Sequence, residues 1–381
     1  MVHLYADHAA TTPVSDAAWE AMQPFLREHF GNASEPHWAG REARRGLDDA
    51  RAACAEALGV DGAEVVFTGG ATEADNIAIF GRAARGAGRI VTTPLEHPAV
   101  SGAVEALERH GCEVVSLPVD ADGLVPVAAI DEAVRPGDLV CSLIWASNLT
   151  GVIQPVAEAA AICAERGVPL HLDAVQACAA FPVDVGALPG AVTAAVAGHK
   201  LGGPKGAGLL CGRGLASLEP VLFGGGQERA LRPGTESVAQ AAGLAAALVS
   251  AAADGGRYGR YRAVRDCYEA ALGAQMSGVA FVGAHAERTP GHSLALVEGL
   301  NGHALVALLD GEGLAAAAGP ACSSAESSAS PALTAMGISP DAARGALRLS
   351  FGSLSASDHG PLAADAVVRC AALLRRASTV A

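Results

Sequence analysis

Short apolar runs alternate with amphipathic stretches through the first two-thirds of the chain. The apolar runs that predict strands are Glu64–Thr68, Arg89–Thr93, Asp138–Ala146, Pro169–Asp173 and Ala191–Ala197. Helical periodicity is found at Arg41–Leu58, Ala71–Arg85 and Val156–Arg166. Because apolar strands alternate with helices, the pattern predicts an α/β fold with a mainly parallel sheet covered by helices on both faces.

The pattern changes after an Ala-rich helix that begins near Ser237. A long helix with mixed charges is predicted at Tyr258–Met276, and short strands and helices follow it. We therefore expect a large domain over residues 15–255 and a smaller α+β domain over residues 256–381. We expect residues 1–14 to pack near the small domain and the functional site rather than to form a domain.

The composition narrows the possible functions. Hydrophobic residues make up 51% and charged residues 17% of the 381 residues, so we expect a sizeable core. The formal net charge of −14 repels phosphate backbones, which disfavours direct nucleic-acid binding. The longest small-apolar stretch, Ala239–Ala253, falls short of the ~20 apolar residues that cross a bilayer, so no membrane partner is expected.

The N-terminus and the cysteines favour a cytoplasmic location. Met1–Asp7 shows no basic region followed by an apolar core, as a secretory signal would. The nine cysteines include no C-x-x-C pair, which indicates reduced thiols rather than a disulfide framework. No metal-ligand set is predicted.

The strongest local motif is a glycine-rich turn with two lysines, Gly198–Gly206 (GHKLGGPKG). The turn follows an apolar strand, so the amine of Lys200 is expected to be partly desolvated and the backbone can approach a ligand closely. A Schiff-base lysine requires such surroundings, because its pKa must fall for the amine to react. Taken alone, a glycine-rich turn with a lysine is more often an ordinary turn.

A second motif, Thr68–Glu73 (TGGATE), joins a predicted strand to a predicted helix. Free N–H groups at a helix start, together with the Thr72 hydroxyl, form an anion site of the size of one phosphate. The alternative is a capping box, in which Thr72 or a neighbouring side chain closes the helix.

A third motif, His171–Gln176 (HLDAVQ), places Asp173 at the carboxyl end of a buried strand. A buried carboxylate is costly unless a cation pairs with it, and a protonated pyridine nitrogen is such a cation. The alternative is that Asp173 caps the next helix. An aspartate at a strand end followed one βα unit later by a glycine-flanked lysine is more specific than either motif alone.

The fourth motif surrounds Cys322 in a stretch of small residues that runs to Pro331. Such a stretch cannot pack firmly, so it predicts a mobile loop that bears an accessible thiol. The other cysteines lie mainly in apolar contexts, and we expect them to be inert core residues. They are Cys54, Cys112, Cys141, Cys163, Cys178, Cys211, Cys267 and Cys370.

Taken together and in order, these motifs resemble those of the cysteine desulfurase family, within the fold-type I enzymes that use pyridoxal 5'-phosphate (PLP). The resemblance covers nearly the whole chain and includes Tyr5–Pro13, Phe30–Asn32, Phe67–Asn76, Glu96–His97, Gly224–Arg229, Arg232–Thr235 and Arg348–Gly352. It implies a large domain with a seven-stranded-type sheet and a small C-terminal domain. The cysteine segment, at about residues 315–331, resembles the long mobile loop of group I members.

The resemblance also implies roles for individual residues. Lys200 is expected to hold PLP and to move protons between substrate carbons, and Cys322 to accept the sulfur as a persulfide. Asp173 is expected to pair with the pyridinium nitrogen, Gln176 with the phenolic oxygen, and His97 to stack on the ring. The phosphate would be bound by Ala71, Thr72, His199 and, from the neighbouring subunit, Thr235. Asn148 and Arg348 are expected to bind the substrate carboxylate, and Asn148 also to contact the cofactor.

Several positions depart from the family pattern. Leu149 stands where glutamate is usual, Trp145 where histidine is common, and Gln227 also replaces a common histidine. Ala197 replaces a serine or threonine, which removes a phosphate hydrogen bond worth ~1–3 kcal/mol. Pro320 replaces a serine before the cysteine. These departures predict a specialised member of the family.

The implied activity converts L-cysteine to L-alanine and passes sulfur from Cys322 to an unidentified protein acceptor, in a homodimer that shares its phosphate sites. Related PLP activities remain alternatives: a selenocysteine lyase, a C–S lyase or an aminotransferase. A different class is a scaffold that binds a sulfur-transfer partner without catalysis. Only persulfide formation requires the Cys322 thiol, and a scaffold has no need of Lys200 and Asp173.

Overall fold

The computed structural model describes residues 3–319 and 330–380. Its strands are β1 (Leu4–Tyr5), β2 (Val65–Thr68), β3 (Arg89–Thr92), β4 (Glu113–Ser116), β5 (Val140–Ile144), β6 (Leu170–Asp173), β7 (Val192–Ala197), β8 (Gly208–Cys211), β9 (Val279–Phe281), β10 (His292–Val297), β11 (Leu314–Ala315), β12 (Ala317–Ala318) and β13 (Ala346–Ser350). Its helices are α1 (Asp16–Arg27), α2 (Trp38–Leu58), α3 (Ala71–Ala83), α4 (Pro98–Arg109), α5 (Val127–Ala133), α6 (Val156–Glu165), α7 (Val175–Ala180), α8 (Val238–Ala253), α9 (Arg257–Gln275), α10 (Gly302–Gly311), α11 (Pro331–Ala335), α12 (Pro340–Arg344) and α13 (His359–Val380).

A seven-stranded sheet with the order β2-β8-β7-β6-β5-β3-β4 forms the centre of the larger part of the chain. Neighbouring strands from β7 to β4 are parallel, and only β8 runs antiparallel to its two neighbours. The mainly parallel α/β sheet predicted from the sequence is therefore confirmed. Every residue of β5, β6 and β7 is buried, as expected for strands with helices on both faces.

The sequence pattern located the central strands but missed β4 and β8. β4 lies at the sheet edge with partly exposed residues, so it lacks the continuous apolar run of the central strands. β8 has only four residues and directly follows the glycine-rich turn. Helix α2 begins at Trp38 rather than at Arg41, because His37 caps it by accepting a hydrogen bond from the backbone N–H of Gly40.

A second, antiparallel sheet of order β12-β13-β10-β9 lies in the part of the chain after α9. Its apolar cluster includes Tyr268 of α9, Leu305 of α10, Leu349 of β13 and Val367 of α13. Strand β1 pairs in parallel with β11, so the N-terminal residues join this part of the structure. The division into domains at residue 255 stays a prediction.

Among residues 3–319 and 330–380, no single helix has the length and apolar character needed to span a membrane. The consecutive helices α8 and α9, which are bent by 75° relative to each other, meet that test only as a pair and only by length and composition.

A strained turn connects the sheet to the segment that carries Thr235. Glu228, Arg229 and Ala230 have φ angles of 44°, 61° and 60°, in the left-handed region that non-glycine residues adopt at a cost of roughly 1 kcal/mol each or more. The Glu228 carboxylate accepts hydrogen bonds of 2.5 and 3.0 Å from the Arg51 guanidinium and of 2.8 Å from the Phe67 backbone N–H. This buried ion pair holds the turn in its strained conformation.

We expect Glu228→Gln to destabilise the fold by about 3 kcal/mol, because it leaves the Arg51 guanidinium mostly buried without a counter-charge. The side chains of Glu228 and Arg51 are 2% and 16% exposed. The measurement is urea unfolding followed by circular dichroism. The matched control is Glu219→Gln, which breaks the pair with Arg85 at the surface, where no measurable change is expected. Equal effects in both variants would contradict this role of the buried pair.

Candidate active site

A cavity of about 860 Å³ opens at the carboxyl edge of the large sheet. The carboxyl ends of β2, β6 and β7 meet at this edge because the three strands run in the same direction. The sequence-predicted residues that line the cavity are Ala71, Thr72, His97, Asn148, Asp173, Gln176, His199 and Lys200. Residues distant in the sequence thus form one wall, as expected for an open α/β sheet.

Lys200 ends a short 3₁₀ turn, Gly198–Lys200, directly after β7. Its Nζ donates hydrogen bonds of 2.5 and 2.6 Å to the carbonyl oxygens of Ala9 and Ala10. Burial, reinforced by the nearby Arg348 charge, lowers the pKa of Lys200 to about 8. The amine is therefore neutral in a substantial fraction of molecules at mildly alkaline pH, as a nucleophilic amine must be.

The conformation of the lysine turn depends on glycine at one position. Gly202 has a φ of +87°, which side-chain-bearing residues rarely adopt. A Cβ atom there would also lie 3.3 Å from the Cβ of Ser15. The turn is further held by the Thr12 hydroxyl, which accepts a 2.9 Å hydrogen bond from the Gly202 N–H and donates one to the His199 carbonyl.

The first turn of α3 forms one end of the cavity. Its N-cap is Gly70, which has no side chain to accept from the first turn, so the full capping box considered as an alternative is not formed. The Glu73 carboxylate instead accepts hydrogen bonds from the Gly69 N–H at 2.5 Å and from Arg232 at 2.8 Å. The N–H groups of this first turn, the Thr72 hydroxyl and Lys205 are thus available to an anion at the cavity wall.

Asp173 ends β6 and is 4% exposed. Burial raises the pKa of this carboxyl, and the opposing influences are the 3.0 Å hydrogen bond from the Val175 N–H and the nearby His97 and Lys200. The bond to Val175 shows that the two interpretations of Asp173 are compatible. One oxygen of Asp173 accepts the hydrogen bond at the start of α7, and the residue still lines the cavity.

His97 caps α4, and its Nδ1 accepts a 3.1 Å hydrogen bond from the Ala99 N–H. Burial lowers the pKa of His97. Since Nδ1 accepts, the proton of the neutral ring lies on Nε2. His199, on the same cavity, forms a 3.1 Å hydrogen bond between its Nδ1 and the Thr11 hydroxyl. Burial and the two nearby lysines lower the pKa of His199 to about 4.

A layer of buried acids beneath the cavity was missed by the sequence analysis. Asp75 of α3 pairs with His171 of β6 at 3.0 Å, and Glu96 accepts a 2.8 Å hydrogen bond from Ser142. Burial raises the pKa of Asp75 well above its usual range and lowers that of His171 to about 3, so neutral forms of this pair are favoured. The available signal was the alternation in β6, where polar His171 and Asp173 share one face of an otherwise apolar strand.

Arg348 of β13 approaches the cavity from the second sheet. Its Nη1 donates a 2.9 Å hydrogen bond to the carbonyl oxygen of Asn148, and its Nη2 donates one of 2.8 Å to the carboxylate of Asp7. Its Nε is buried and has no hydrogen-bond partner within the described part of the chain. Asn148 and Arg348 are thus brought together, and Asp7 is an additional carboxylate that the sequence analysis did not single out.

Of the predicted site residues that the structure describes, Arg348 and Thr235 are not among those that line this cavity. Thr235 lies on the exposed segment after the strained turn. Cys322 lies outside the described residues, as does Pro320. Seven of the remaining cysteines are buried, as expected. Cys267 is the exception, because it lies on an exposed position of α9.

The departures from the family pattern occupy distinct environments. Leu149 is buried in an apolar cluster with Leu294 and Met336, where a charged side chain would be costly. Trp145 packs edge-on against Phe181. Ala197 lines the cavity without a hydroxyl group. Gln227 accepts a 3.2 Å hydrogen bond from the Gly234 N–H, which closes the loop before Thr235.

Gln176 lines the cavity, but its amide is engaged by the N-terminal segment. Its Nε2 donates a 3.0 Å hydrogen bond to the Ala9 carbonyl oxygen, the same atom that accepts from Lys200. The N-terminal residues therefore hold two of the predicted cofactor-binding side chains in place.

Comparison with known proteins gives one consistent family. Residues 4–358 match the family described as Aminotransferase class-V. The chain is 42% identical, over 99% of its length and 98% of the relative, to an IscS-like cysteine desulfurase of Mycobacterium tuberculosis. A solved NifS-like protein matches with a TM-score of 0.91 and 29% identity, over 98% of this chain and 100% of that one. The cysteine desulfurase CsdA (S-sulfonic acid) from Escherichia coli matches with a TM-score of 0.83 and 27% identity, over 98% and 95%.

The lysine scarcity of the chain permits a direct test of the Lys200 environment, because Lys200 and Lys205 are its two lysines. We expect the acetylation rate of Lys200 to rise with a midpoint near pH 8, since only the neutral amine reacts and its pKa is lowered to about 8. The measurement is pulsed labelling with acetic anhydride, read by peptide mass spectrometry, on protein freed of bound carbonyl compounds with hydroxylamine.

Unfolding the chain in urea provides the control for this labelling. The pH midpoint of Lys200 acetylation is then expected to return to about 10.4, the pKa of a solvated lysine. The Lys205 peptide serves as the internal reference for reagent dose. A Lys200 midpoint that does not differ between folded and unfolded protein would refute the desolvated amine.

Proposed function

The chain belongs to the class-V aminotransferase family and, within it, to the cysteine desulfurases, and we propose that it takes sulfur from L-cysteine, releases L-alanine and carries the sulfur as a persulfide on Cys322. The observation that carries this function is the meeting of the Lys200 amine and the Asp173 carboxylate in one cavity at the carboxyl edge of the sheet. The family resemblance of the sequence is confirmed by 42% identity over 99% of the chain.

We infer that this cavity binds PLP, because its polar groups match the groups of that cofactor. The uncapped first turn of α3, with Thr72 and His199, suits the phosphate. The buried Asp173 suits the pyridinium nitrogen, Gln176 the phenolic oxygen and the Lys200 amine the carbonyl carbon. When bound, PLP draws electrons from the carbon atoms of an amino acid substrate.

Lys200 would supply the proton transfers. Its pKa of about 8 leaves the amine able to accept a proton from the substrate Cα and to return one to the carbon skeleton. The carbonyl oxygens of Ala9 and Ala10 hold its Nζ at the cavity wall. At neutral pH this pKa leaves the amine neutral in about one molecule in ten, against fewer than about one in a thousand for a lysine with its usual pKa.

His97 would stack on the planar cofactor. The hydrogen bond from the Ala99 N–H fixes the orientation of the ring, and burial favours its neutral form. A neutral imidazole with its proton on Nε2 is suited both to stacking and to exchanging that proton with a substrate atom.

Arg348 and Asn148 would bind the substrate carboxylate. The guanidinium is held by the Asn148 carbonyl oxygen, and its Nε has no partner in the described part of the chain. A planar guanidinium with a free N–H matches a carboxylate ligand.

The sulfur transfer balances without an external oxidant. The C–S bond of L-cysteine breaks, an S–S bond forms between its sulfur and the Cys322 thiolate, and protons complete the methyl group of L-alanine. The products are L-alanine and a Cys322 persulfide, which a protein acceptor with a reactive thiol would then take. We propose that this occurs in the cytoplasm, where cysteines stay reduced.

The alternatives differ in what they require of the cavity. A scaffold without catalysis has no use for a buried lysine of lowered pKa beside a buried aspartate. A selenocysteine lyase, a C–S lyase or an aminotransferase would use the same cavity, but none of them strictly requires the Cys322 thiol. Product analysis therefore separates them.

We expect the wild-type holoenzyme to release alanine and sulfide from L-cysteine in equal amounts in the presence of a reductant. Cys322→Ala should lose at least about a hundredfold of this activity, because the sulfur-accepting thiolate is gone, while the cofactor absorbance band is retained. The measurement is amino acid analysis with sulfide detection. Cys267→Ala, which removes an exposed cysteine of α9, is the matched control and should keep full activity. Pyruvate in place of alanine would indicate a lyase.

We further propose a homodimer in which Thr235 binds the phosphate of the neighbouring subunit. Thr235 is exposed and does not line the cavity of its own chain. Large apolar side chains are exposed on the same monomer, including Phe223 at 88%, Phe30 at 69% and Trp38 at 66%. Such exposed apolar surface favours burial against another protein chain.

Mixed dimers test the shared site. We expect Thr235→Ala to weaken PLP affinity about tenfold, through loss of one hydrogen bond to a charged group. A dimer of one Lys200→Ala subunit and one Thr235→Ala subunit should recover one site of wild-type affinity and activity, because the intact Lys200 meets the intact Thr235 of its neighbour. The measurement is cofactor titration of tagged, purified mixed dimers. If Thr235 acted in its own subunit, no mixed site would recover.

A further inference from the structure

Asp7 places a carboxylate of the protein on the arginine proposed to bind the substrate carboxylate. Its Oδ1 accepts a 2.8 Å hydrogen bond from the Nη2 of Arg348. The two side chains are 20% and 13% exposed, so solvent screens the pair only in part. Arg348 therefore meets a negative charge before any substrate arrives.

The backbone of Asp7 is fixed independently of this side-chain contact. Asp7 forms a β-bridge with Ser350 of β13, and the Ser350 N–H donates a 2.7 Å hydrogen bond to the Ala6 carbonyl oxygen. The Tyr5 hydroxyl donates to the Asp7 carbonyl oxygen at 3.0 Å. The N-terminal segment would thus keep its course if the Asp7 carboxylate were removed.

We propose that Asp7 is a specificity-determining residue that weakens the binding of carboxylate ligands by competing with them for Arg348. The inference rests on the proposed function of Arg348 as the site of the substrate carboxylate. Asp7 occupies one N–H group of the guanidinium and neutralises part of its charge, while Nε remains the free donor. A substrate must displace Asp7 or share the guanidinium with it, and the product L-alanine faces the same competition.

This competition gives Asp7 a function in turnover. L-Alanine retains the carboxylate of L-cysteine, so an arginine without a competing carboxylate would hold product as firmly as substrate. Asp7 lowers the affinity for both, which favours product release at the expense of a higher KM. A purely structural Asp7 would have the opposite signature, because its loss would misplace Arg348 and raise the KM.

The test uses Asp7→Asn in the holoenzyme. Asparagine keeps an oxygen acceptor of the same length for Arg348 but removes the charge. We expect the KM for L-cysteine and the inhibition constant of L-alanine to fall roughly threefold to tenfold, as expected for one charge at a partly buried site. The inhibition constant of cysteamine, which has the amine and thiol of cysteine but no carboxylate, should not change.

Cysteamine also distinguishes an effect of Asp7 through Arg348 from an effect through Lys200. Asp7 contributes to the electrostatic environment of the lysine as well, and an effect through Lys200 would alter cysteamine and L-cysteine alike. Asp341→Asn, which breaks an exposed Asp–Arg pair with Arg344 in α12, controls for the loss of one negative charge. It should leave all three constants unchanged.

The other possible results of the Asp7→Asn experiment also decide whether Asp7 competes for Arg348. An unchanged or higher KM and alanine constant in a folded Asp7→Asn protein overturns the proposal. If Asp7→Asn melts more than about 5 °C below wild type, Asp7→Ser replaces it in the same comparison. If wild-type protein releases no alanine from L-cysteine, the proposed function fails. In that case the change in L-alanine binding relative to cysteamine binding, from wild type to Asp7→Asn, still tests the role of Asp7.

Discussion

The carbonyl oxygens of Ala9 and Ala10 are the atoms on which the active site depends most directly. They accept hydrogen bonds from the amine of Lys200, and that of Ala9 also accepts from the amide of Gln176. The same N-terminal segment pairs with β11 and with Ser350 of β13. A short stretch of backbone therefore joins the second sheet to the lysine turn of the first, with the Asp7 carboxylate on Arg348 and the Ala9 and Ala10 carbonyl oxygens on Lys200.

Desolvation has the largest effect on the pKa values of the ionisable groups around the lysine turn. It lowers the pKa of Lys200 to about 8 and raises that of Asp173. Burial, reinforced by the nearby Asp173 carboxylate, raises the pKa of both Asp75 and Glu96, that of Glu96 to about 8. The cavity thus combines an amine of lowered pKa with carboxyl groups of raised pKa, a combination that the isolated side chains would not show in water.

The residues that depart from the family pattern alter the periphery of the cavity more than its centre. Leu149 and Trp145 are enclosed by apolar neighbours, and Gln227 stabilises the loop that leads to Thr235. Ala197 alone removes a polar group from the cavity wall. Lys200, Asp173 and His97 are unaffected, which is consistent with a desulfurase whose chemistry is retained while its partner or its loops are specialised.

The sequence by itself determined the class of fold, the family and most of the cavity residues. It did so because buried parallel strands are continuously apolar and because glycine, lysine and aspartate at strand ends have few structural reasons to occur together. It missed β8, whose four residues have no periodicity of their own, and it left the capping of α3 open until Gly70 proved to carry no cap. Only the tertiary structure decided that Asp75 pairs with His171 and Asp7 with Arg348, since the partners are separated by long stretches of chain. A contact of that kind depends on how the sheets and the N-terminal segment pack, and no local pattern of residues encodes it.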